Sequence, residues 1–327
     1  MLRGVALVTG GAGFIGSHLA ETLANLVGVE TVVVVDDLSN GSLKNLEVCR
    51  RTGKLIFIHG DVRDETLMRK VLNDYGVDYI FHHAARVSVS DSVKDPLTTE
   101  SVNVGGALAV LKAAMDFDIK RLVLASSCVI YGKAKNLPIS EEEPPRPMSP
   151  YGVSKMASEA YWILAHELYG LKTVALRYFN VYGPRQRPGE YGGVISSFVS
   201  RVLKGLPPIV YGDGEQTRDF VHVRDVVKAN LLAASKPRVI GEALNIASGR
   251  EVSINELAGL VLRLAGLEGL RPEHGPPRPG DIRRSWADIS KARRLLSYEP
   301  EISLEEGVRE LLTCSPPNMS SKPSGRI

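Results

Sequence analysis

The sequence predicts an α/β fold: a Rossmann-like, doubly wound parallel sheet with a smaller, mixed α/β C-terminal region. Three observations predict it. Short apolar runs alternate with amphipathic stretches up to about residue 180. A glycine-rich turn, Thr9-Gly-Gly-Ala-Gly-Phe-Ile-Gly16, joins the first apolar run to the first amphipathic stretch. An aspartate, Asp36, ends the second run.

The elements follow in order. Residues 4–9 form the first strand, and an amphipathic stretch then runs to about Val27. Residues 31–36 are continuous and β-branched, the pattern of a strand covered on both faces. Runs at 55–58, 79–82, 122–126 and 173–176 repeat it, with helical patterns at 64–74, 97–116 and 150–169. Ser149 is a good N-cap for the last of these, and Pro150 falls at the first helical position, where a missing N–H costs nothing. After about residue 180, Gly183-Pro184, Pro188-Gly189, Gly192-Gly193 and Pro207-Pro208 break the alternation. The expected division is a first domain over 1–180 and a second region over 181–314, with the chain able to cross back to the sheet. Residues 315–327 are rich in Ser and Pro and are expected to be a disordered tail.

Composition narrows the function classes. The chain of 327 residues is 44% hydrophobic and 24% charged, as globular domains are. A net charge of +3, with no basic run interleaved with aromatics, gives no reason to expect nucleic acid as a partner. No apolar stretch is long enough to span a bilayer, and the first ten residues read as a strand, not a signal peptide. Cys49, Cys128 and Cys314 are odd in number and far apart. They suggest neither a disulfide framework nor a metal site, and a cytoplasmic location is expected.

The glycine turn carries the first chemistry. Gly10 allows the tight turn, Gly13 lets backbone approach a pyrophosphate, and Gly16 lets helix and strand pack closely. The helix N-terminus then offers free N–H groups to phosphates. A carboxylate at Asp36 accepts from ribose hydroxyls and repels a 2′-phosphate, which favours NAD over NADP. Asp61, after the third strand, is placed to reach the adenine, or to cap the following helix.

A second set lies further on. Ser126 and Ser127 end a strand, where parallel sheets place ligands. Tyr151 and Lys155 are four apart, so a helix stacks phenol and ammonium on one face. A cation beside a phenol lowers its pKa toward neutrality and makes it a general base. Alone, Tyr-x-x-x-Lys is more often an ordinary amphipathic helix; the preceding motifs raise it.

Taken with Ser-Ser-Cys-Val-Ile-Tyr-Gly132 and Arg177-Tyr-Phe-Asn-Val-Tyr-Gly-Pro184, these motifs resemble the extended short-chain dehydrogenase/reductases. Within them the chain most resembles the NAD-dependent UDP-hexose 4-epimerases, over about Val5 to Leu312. The resemblance implies Ser127 as catalytic hydroxyl, Tyr151 as base, and Lys155 as the residue that holds the nicotinamide ribose and depresses the tyrosine pKa. It implies that Tyr151 takes the sugar 4-hydroxyl proton as hydride leaves C4 for NAD. The 4-keto sugar then turns, and hydride returns to its other face. For the cofactor it implies the glycines with Phe14 and Ile15, the acids Asp36, Asp37 and Asp61 with Val62, and Asn40 at the phosphates. Ala84, Ala85 and Arg86 follow the fourth strand, and Asn103, Ser126 and Tyr178 complete that set. For a UDP-sugar it implies Asn180, Arg218 and Arg278 at the diphosphate, Val194 and Tyr211 at the uracil, and Asp281 at the ribose. It also implies a homodimer through a four-helix bundle, with Leu97, Val104, Leu108, Leu111 and Met115 on the seam.

Two departures stand out. Val87 occupies a position where many such epimerases carry Lys, with Arg86 beside it. Ser285 replaces the bulky Tyr of strictly hexose-specific members, opening space for a 2-acetamido group. Sugar 4,6-dehydratases and UDP-glucuronate decarboxylases place an acid just after the catalytic hydroxyl, where this chain has Cys128 and Val129. A UDP-glucuronate 4-epimerase shares the Ser-Tyr-Lys set and needs a cation for its C6 carboxylate, for which Arg185 and Arg86 are candidates. A non-enzymatic NAD(H)-sensing protein would typically have lost Tyr or Lys.

Overall fold

A computed structural model of the chain describes residues 2–187, 193–278 and 280–314. The expected tail at 315–327 lies outside them.

Strands β1 (Gly4–Thr9), β2 (Val29–Asp36), β3 (Leu55–His59), β4 (Val77–His82), β5 (Arg121–Ser127) and β6 (Thr173–Tyr178) alternate with helices. The helices are α1 (Phe14–Asn25), α2 (Glu47–Arg51), α3 (Glu65–Tyr75), α4 (Val89–Lys94), α5 (Pro96–Glu100), α6 (Gly106–Ala114) and α7 (Pro150–Tyr169). Beyond them come β7 (Asn180–Tyr182), α8 (Val194–Val202), β8 (Ile209–Tyr211), β9 (Thr217–Arg218), β10 (Phe220–His222), α9 (Val223–Ser235) and β11 (Ala243–Ile246). Then follow β12 (Val252–Ser253), α10 (Ile254–Leu264), β13 (Glu273–Gly275), α11 (Ser290–Leu296) and α12 (Leu304–Cys314).

Among the described residues the main sheet has seven strands in the order β11-β6-β5-β4-β1-β2-β3, all paired in parallel. The order reverses between β1 and β4, which opens a crevice beyond their carboxyl ends. Val32, Val33, Val34 and Val35 of β2 are all buried, as a doubly covered strand requires. One apolar layer packs α1 and α9 on one face, and a second packs α3, α6 and α7 on the other. Helix α9 packs against α1, and β11 adds the strand beside β6. Helices α8, α10 and α12 share a third, separate apolar cluster with the short strands.

The region 97–116 is not one regular helix. A π-helical turn at Ser101–Gly105 joins α5 to α6. Two adjacent glycines, Gly105 and Gly106, close it, and Asn103 turns inward to bond another segment, so the regular ladder loosens there. The expected seam also divides. Val104 and Leu111 are buried within the chain's own core, whereas Leu97, Leu108 and Met115 are exposed. A helix that packs on a sheet with one face keeps the opposite face for other uses.

Candidate active site

The first βα turn is built as its glycines require. Gly10 has φ +68°, and a Cβ there would lie 2.6 Å from the Ala84 backbone nitrogen. A Cβ on Gly16 would lie 2.3 Å from the Gly10 carbonyl oxygen, so α1 could not approach β1. Gly13 is the N-cap of α1, and no side chain caps that end. The amino end of α1, which also carries Phe14 and Ile15, is therefore ready to receive an anion. Asp36, at the end of β2, accepts from the Ala12 and Leu38 N–H groups at 2.9 and 2.8 Å. Each oxygen keeps a lone pair for a ligand hydroxyl. Burial raises the pKa of Asp36, against the pull of those two N–H groups.

Other residues expected around the cofactor are engaged within the chain. Asp61 pairs with Arg63 at 2.5 Å, and the cap of α3 is Asp64 instead. Val62 is buried against Gly106. Asp37 turns the chain by accepting from the Ser39 N–H and hydroxyl. Asn40 accepts from Arg187 at 3.3 Å. Asn103 staples two segments: it accepts from the Arg86 N–H at 2.7 Å and donates to the Arg86 carbonyl and to Ser154 Oγ. That staple holds the Ala84-Ala85-Arg86 loop against α7. Tyr178 shares hydrogen bonds with Asn230 and His83.

The carboxyl end of β5 and the first turns of α7 bring Ser127, Tyr151 and Lys155 together. Ser149 accepts from the Gly152 N–H at 3.1 Å and Pro150 occupies the first turn, so α7 begins as its sequence dictates. The Tyr151 phenol hydrogen bonds with Ser127. Lys155 Nζ donates to the Ala125 carbonyl at 2.8 Å. The ammonium has two further protons for a ligand.

The electrostatics differ from expectation. Burial pushes the Tyr151 phenol up to about 12, with the Ser127 hydrogen bond opposing the rise. Burial pushes Lys155 down to about 8. The phenol is therefore not yet a base in this state, because desolvation of phenolate outweighs the hydrogen bond. His82 and His83, at the end of β4, are driven down to about 3 and about 4 by burial and then by the Lys155 charge. Both imidazoles are neutral at pH 7. His82 is locked by Thr9 at 2.8 Å and stacks on Trp162.

On the other side of the crevice, Arg218 pairs with Asp281 and donates to the Ile282 carbonyl at 2.7 Å. Arg218 also lies near enough to Cys128 to act on its thiol, which burial nonetheless pushes up to about 12. The guanidinium of Arg278 sits 4.1 Å from the centroid of the Tyr211 ring. Val194 opens α8, whose N-cap Gly193 supplies no side-chain bond. Asn180 donates to the Asp219 carbonyl at 2.9 Å. Ser285 is buried.

Two features escape the sequence reading. Glu159 accepts from Ser126 Oγ at 2.6 Å and pairs with Arg177 at 2.6 Å, both side chains being buried. Asp219 is fully buried and accepts from the Ser248 N–H and hydroxyl and from the Gly249 and Ala287 N–H groups. A signal existed for the first: Tyr151, Lys155 and Glu159 are spaced by four and share a helix face.

A glycine turn, an acid at the end of the following strand and a Ser-Tyr-Lys cluster on the same parallel sheet invite comparison with known proteins. A family model described as GDP-mannose 4,6 dehydratase matches residues 7–311. The chain belongs to that family. It is therefore an enzyme of the epimerase/dehydratase class within the extended short-chain dehydrogenase/reductases. The UDP-glucose 4-epimerase of Mycolicibacterium smegmatis is 39% identical over 303 residues, covering 92% of this chain and 95% of that protein. The UDP-glucuronate 4-epimerase of Thermodesulfobacterium geofontis is 35% identical over 324 residues, covering 97% of each. Among solved structures of the family, the UDP-glucose 4-epimerase of Thermotoga maritima with UDP-glucose superposes with a TM-score of 0.89 at 40% identity, covering 94% of this chain and 97% of that one. The UDP-N-acetylglucosamine 4-epimerase of Methanobrevibacter ruminantium, in complex with UDP-N-acetylmuramic acid, gives 0.89 at 38% identity, covering 96% and 98%. The Thermus thermophilus UDP-glucose 4-epimerase, in complex with NAD, gives 0.84 at 38% identity, covering 94% and 98%. No helix among the described residues is long and apolar enough to cross a membrane.

Proposed function

We propose that the chain is an NAD-dependent 4-epimerase that interconverts UDP-galactose and UDP-glucose. The observation that carries this reading is the Ser127–Tyr151–Lys155 cluster, with Cys128 and Val129, not an acid, following Ser127. Chemistry beyond C4 needs that acid in the dehydratase and decarboxylase patterns. On this reading residues 1–180 bind NAD and residues 181–314 supply most of the nucleotide-sugar site, with α9 and β11 returning to the sheet.

The cofactor fits the residues present. The uncapped amino end of α1 suits the pyrophosphate, the free lone pairs of Asp36 suit the adenosine ribose, and the two unused protons of Lys155 suit the nicotinamide ribose. NAD supplies the hydride acceptor at C4 and, in its oxidised form, a cationic ring. The chain's own residues do the rest. Ser127 bonds the sugar 4-hydroxyl and relays its proton to Tyr151 once that phenol is ionised. Lys155 holds the ribose and adds positive charge near the phenol, working against the burial that holds it near 12. Arg218, Arg278, Asn180 and the amino end of α8 grip the UDP, and Asp281 bonds its ribose. The sugar is left loosely held, so its 4-keto form can turn before reduction on the other face.

The test is incubation of purified protein with UDP-galactose, UDP-N-acetylglucosamine and UDP-galacturonate without added NAD, with the products resolved. UDP-galactose is expected to give UDP-glucose. No product from any of the three would sink the reading. A hexuronate needs a cation for its C6 carboxylate, and both candidates have carboxylate neighbours here, Arg185 at Glu21 and Arg86 3.6 Å from Asp95; product from UDP-galacturonate alone would favour that alternative. Intact Tyr151 and Lys155 argue against a non-enzymatic sensor.

Ser285 bears on breadth. A small side chain at that gate leaves room for a 2-acetamido group, so turnover of UDP-N-acetylglucosamine is expected. Ser285→Tyr should abolish that turnover and spare UDP-galactose; equal activity of parent and variant on both sugars would refute the gate.

The charge of Lys155 sets a pH limit. Its pKa lies at about 8, so the ammonium is present below that pH and lost above it. NAD retention is expected to weaken as pH rises through about 8, and Lys155→Met should bind NAD weakly with no step there. A retention profile that is flat for the parent across pH 7–9 would contradict this role.

A homodimer through a four-helix bundle is part of the proposal. Leu97, Leu108 and Met115 are exposed, as are Tyr161, Leu164 and Leu168 on α7. Apolar side chains of this size gathered on neighbouring helices are better covered than wet. Light scattering is expected to give twice the chain mass of 35.5 kDa, falling to one when Leu164→Glu and Leu168→Glu are combined. The monomer mass for the parent at all concentrations would exclude the dimer.

A further inference from the structure

We propose that the buried Glu159–Arg177 pair is a positioning device that sets where Lys155 and Ser127 stand. The inference rests on the epimerase reading for the roles of those two residues.

Helix α7 grips the end of β5 three times. Tyr151, Lys155 and Glu159, one turn apart each, engage Ser127, the Ala125 carbonyl and Ser126. The first two grips involve groups that must be free to serve chemistry. The third does not: both oxygens of Glu159 are committed, Oε2 to Ser126 Oγ at 2.6 Å and Oε1 to Arg177 Nη2 at 2.6 Å. Holding Ser126 fixes the peptide on each side of it, and so the Ala125 carbonyl that receives Lys155 and the Cα that carries Ser127.

The grip is anchored deep in the sheet. Arg177 on β6 is in register with Ser126 on β5 and with Asn245 on β11. Arg177 Nη1 donates to the Tyr131 hydroxyl at 2.7 Å, and Tyr131 donates to Asn245 Oδ1 at 2.7 Å. Asn245 in turn donates its backbone N–H to Glu141 Oε1 at 2.7 Å and its side-chain amide to the Ile139 carbonyl. One row of side chains therefore crosses three strands and returns to the catalytic helix through Glu159. Tyr131 lies in the short turn directly after Cys128, so the same row also braces the segment that follows Ser127.

Stability alone does not explain such a row. A buried ion pair loses most of its Coulomb gain to desolvation, and apolar side chains of similar volume often hold a core as well. Apolar side chains would not hold Ser126. The pair is thus suited to placing groups, where a shift of about 1 Å can cost about 100-fold in rate.

Two variants test this. Ser126→Ala removes the grip and leaves the ion pair. The double variant Glu159→Met/Arg177→Leu removes both charges together, leaves Ser126 in place, and strands no lone buried charge. For the holoenzymes we would measure thermal melting, the rate at which bound NAD exchanges with labelled NAD, and turnover of UDP-galactose. Both variants are expected to fold, to exchange NAD at least about fivefold faster, and to lose at least about tenfold in kcat with KM little changed. Should the double variant fail to fold, Ser126→Ala decides. An exchange rate equal to the parent's, or a raised KM at unchanged kcat, overturns the proposal. A parent that turns over no UDP-sugar sinks the epimerase reading instead, and the exchange rates still decide this one.

Discussion

Tyr151→Phe is expected to lower kcat by about 1,000-fold, within the range that loss of a general acid–base group produces. The fold, the NAD content and KM for the nucleotide sugar should change little. Phenylalanine keeps the ring and removes only the hydroxyl. The Ser127 oxygen loses one partner and still accepts from the Val129 N–H at 3.3 Å. Uridine diphosphate is held by Arg218, Arg278 and Asn180 on the proposed reading, far from the phenol in sequence, so ground-state binding survives. The size of the effect follows from the electrostatics. Burial holds the phenol at about 12, so its hydrogen bond with Ser127, not a ready proton affinity, is what places it for the task. Cys128 is also pushed up to about 12 by burial, and His82 and His83 are pushed far below neutrality. Melting, bound-cofactor absorbance and steady-state kinetics on one preparation check all three claims. A kcat within tenfold of the parent would mean that the proton leaves by another route.

The same cluster shows what could be read from the chain alone. Tyr151 and Lys155 announce a shared face because helical spacing is local, and Ser149-Pro150 marks where that helix starts. The glycine turn is legible for the same reason: its positive φ at Gly10 and its close contact at Gly16 are demands of a few neighbouring residues. The phenol's electrostatics were not legible. Spacing shows that a cation stands one turn away; it does not show that desolvation dominates both groups, with the Ser127 hydrogen bond as the opposing influence on the phenol. Asp61 illustrates a second limit. An aspartate after a strand is equally suited to adenine, to a cap or to an ion pair, and only the position of Arg63 decides that it is paired. The row through Arg177 is a third case, since its members come from five segments and meet only once the sheet is assembled.

Asp219→Ala is expected to be the most destabilising single change in the nucleotide-sugar region. This carboxylate is fully buried at the junction of β9 and β10. It receives the Ser248 N–H at 2.8 Å, the Ser248 hydroxyl at 2.6 Å, the Gly249 N–H at 3.0 Å and the Ala287 N–H at 3.2 Å. Those donors come from two loops that are also tied to the strand carrying Arg218 by the β9–β12 pairing and by the Thr217 N–H, which donates to the Arg283 carbonyl at 2.9 Å. Burial raises its pKa, and the four donors oppose that rise. Alanine leaves three backbone N–H groups without this partner, that of Ala287 buried and those of Ser248 and Gly249 partly buried, each costing about 1–3 kcal/mol where water does not replace the carboxylate. A total loss of about 3–9 kcal/mol, the upper end applying only if all three stay dry, is a large part of the stability a typical domain has. The damage should also reach binding. Ala287 lies two residues after Ser285, and the Asp219 carbonyl receives both the N–H and the side chain of Asn180. Loosening this centre shifts Arg218, Asn180 and Ser285 together, so KM for the UDP-sugar should rise about tenfold or more, one such factor being about 1.4 kcal/mol. Asp219→Asn keeps one oxygen for two of the donors and opposes an NH2 to the others, and should fall between parent and alanine on both measures. Denaturant unfolding and KM determined in parallel test the pairing of the two effects. If Asp219→Ala unfolds at the parent's midpoint, or loses stability with KM untouched, the carboxylate does not organise the substrate side of the crevice.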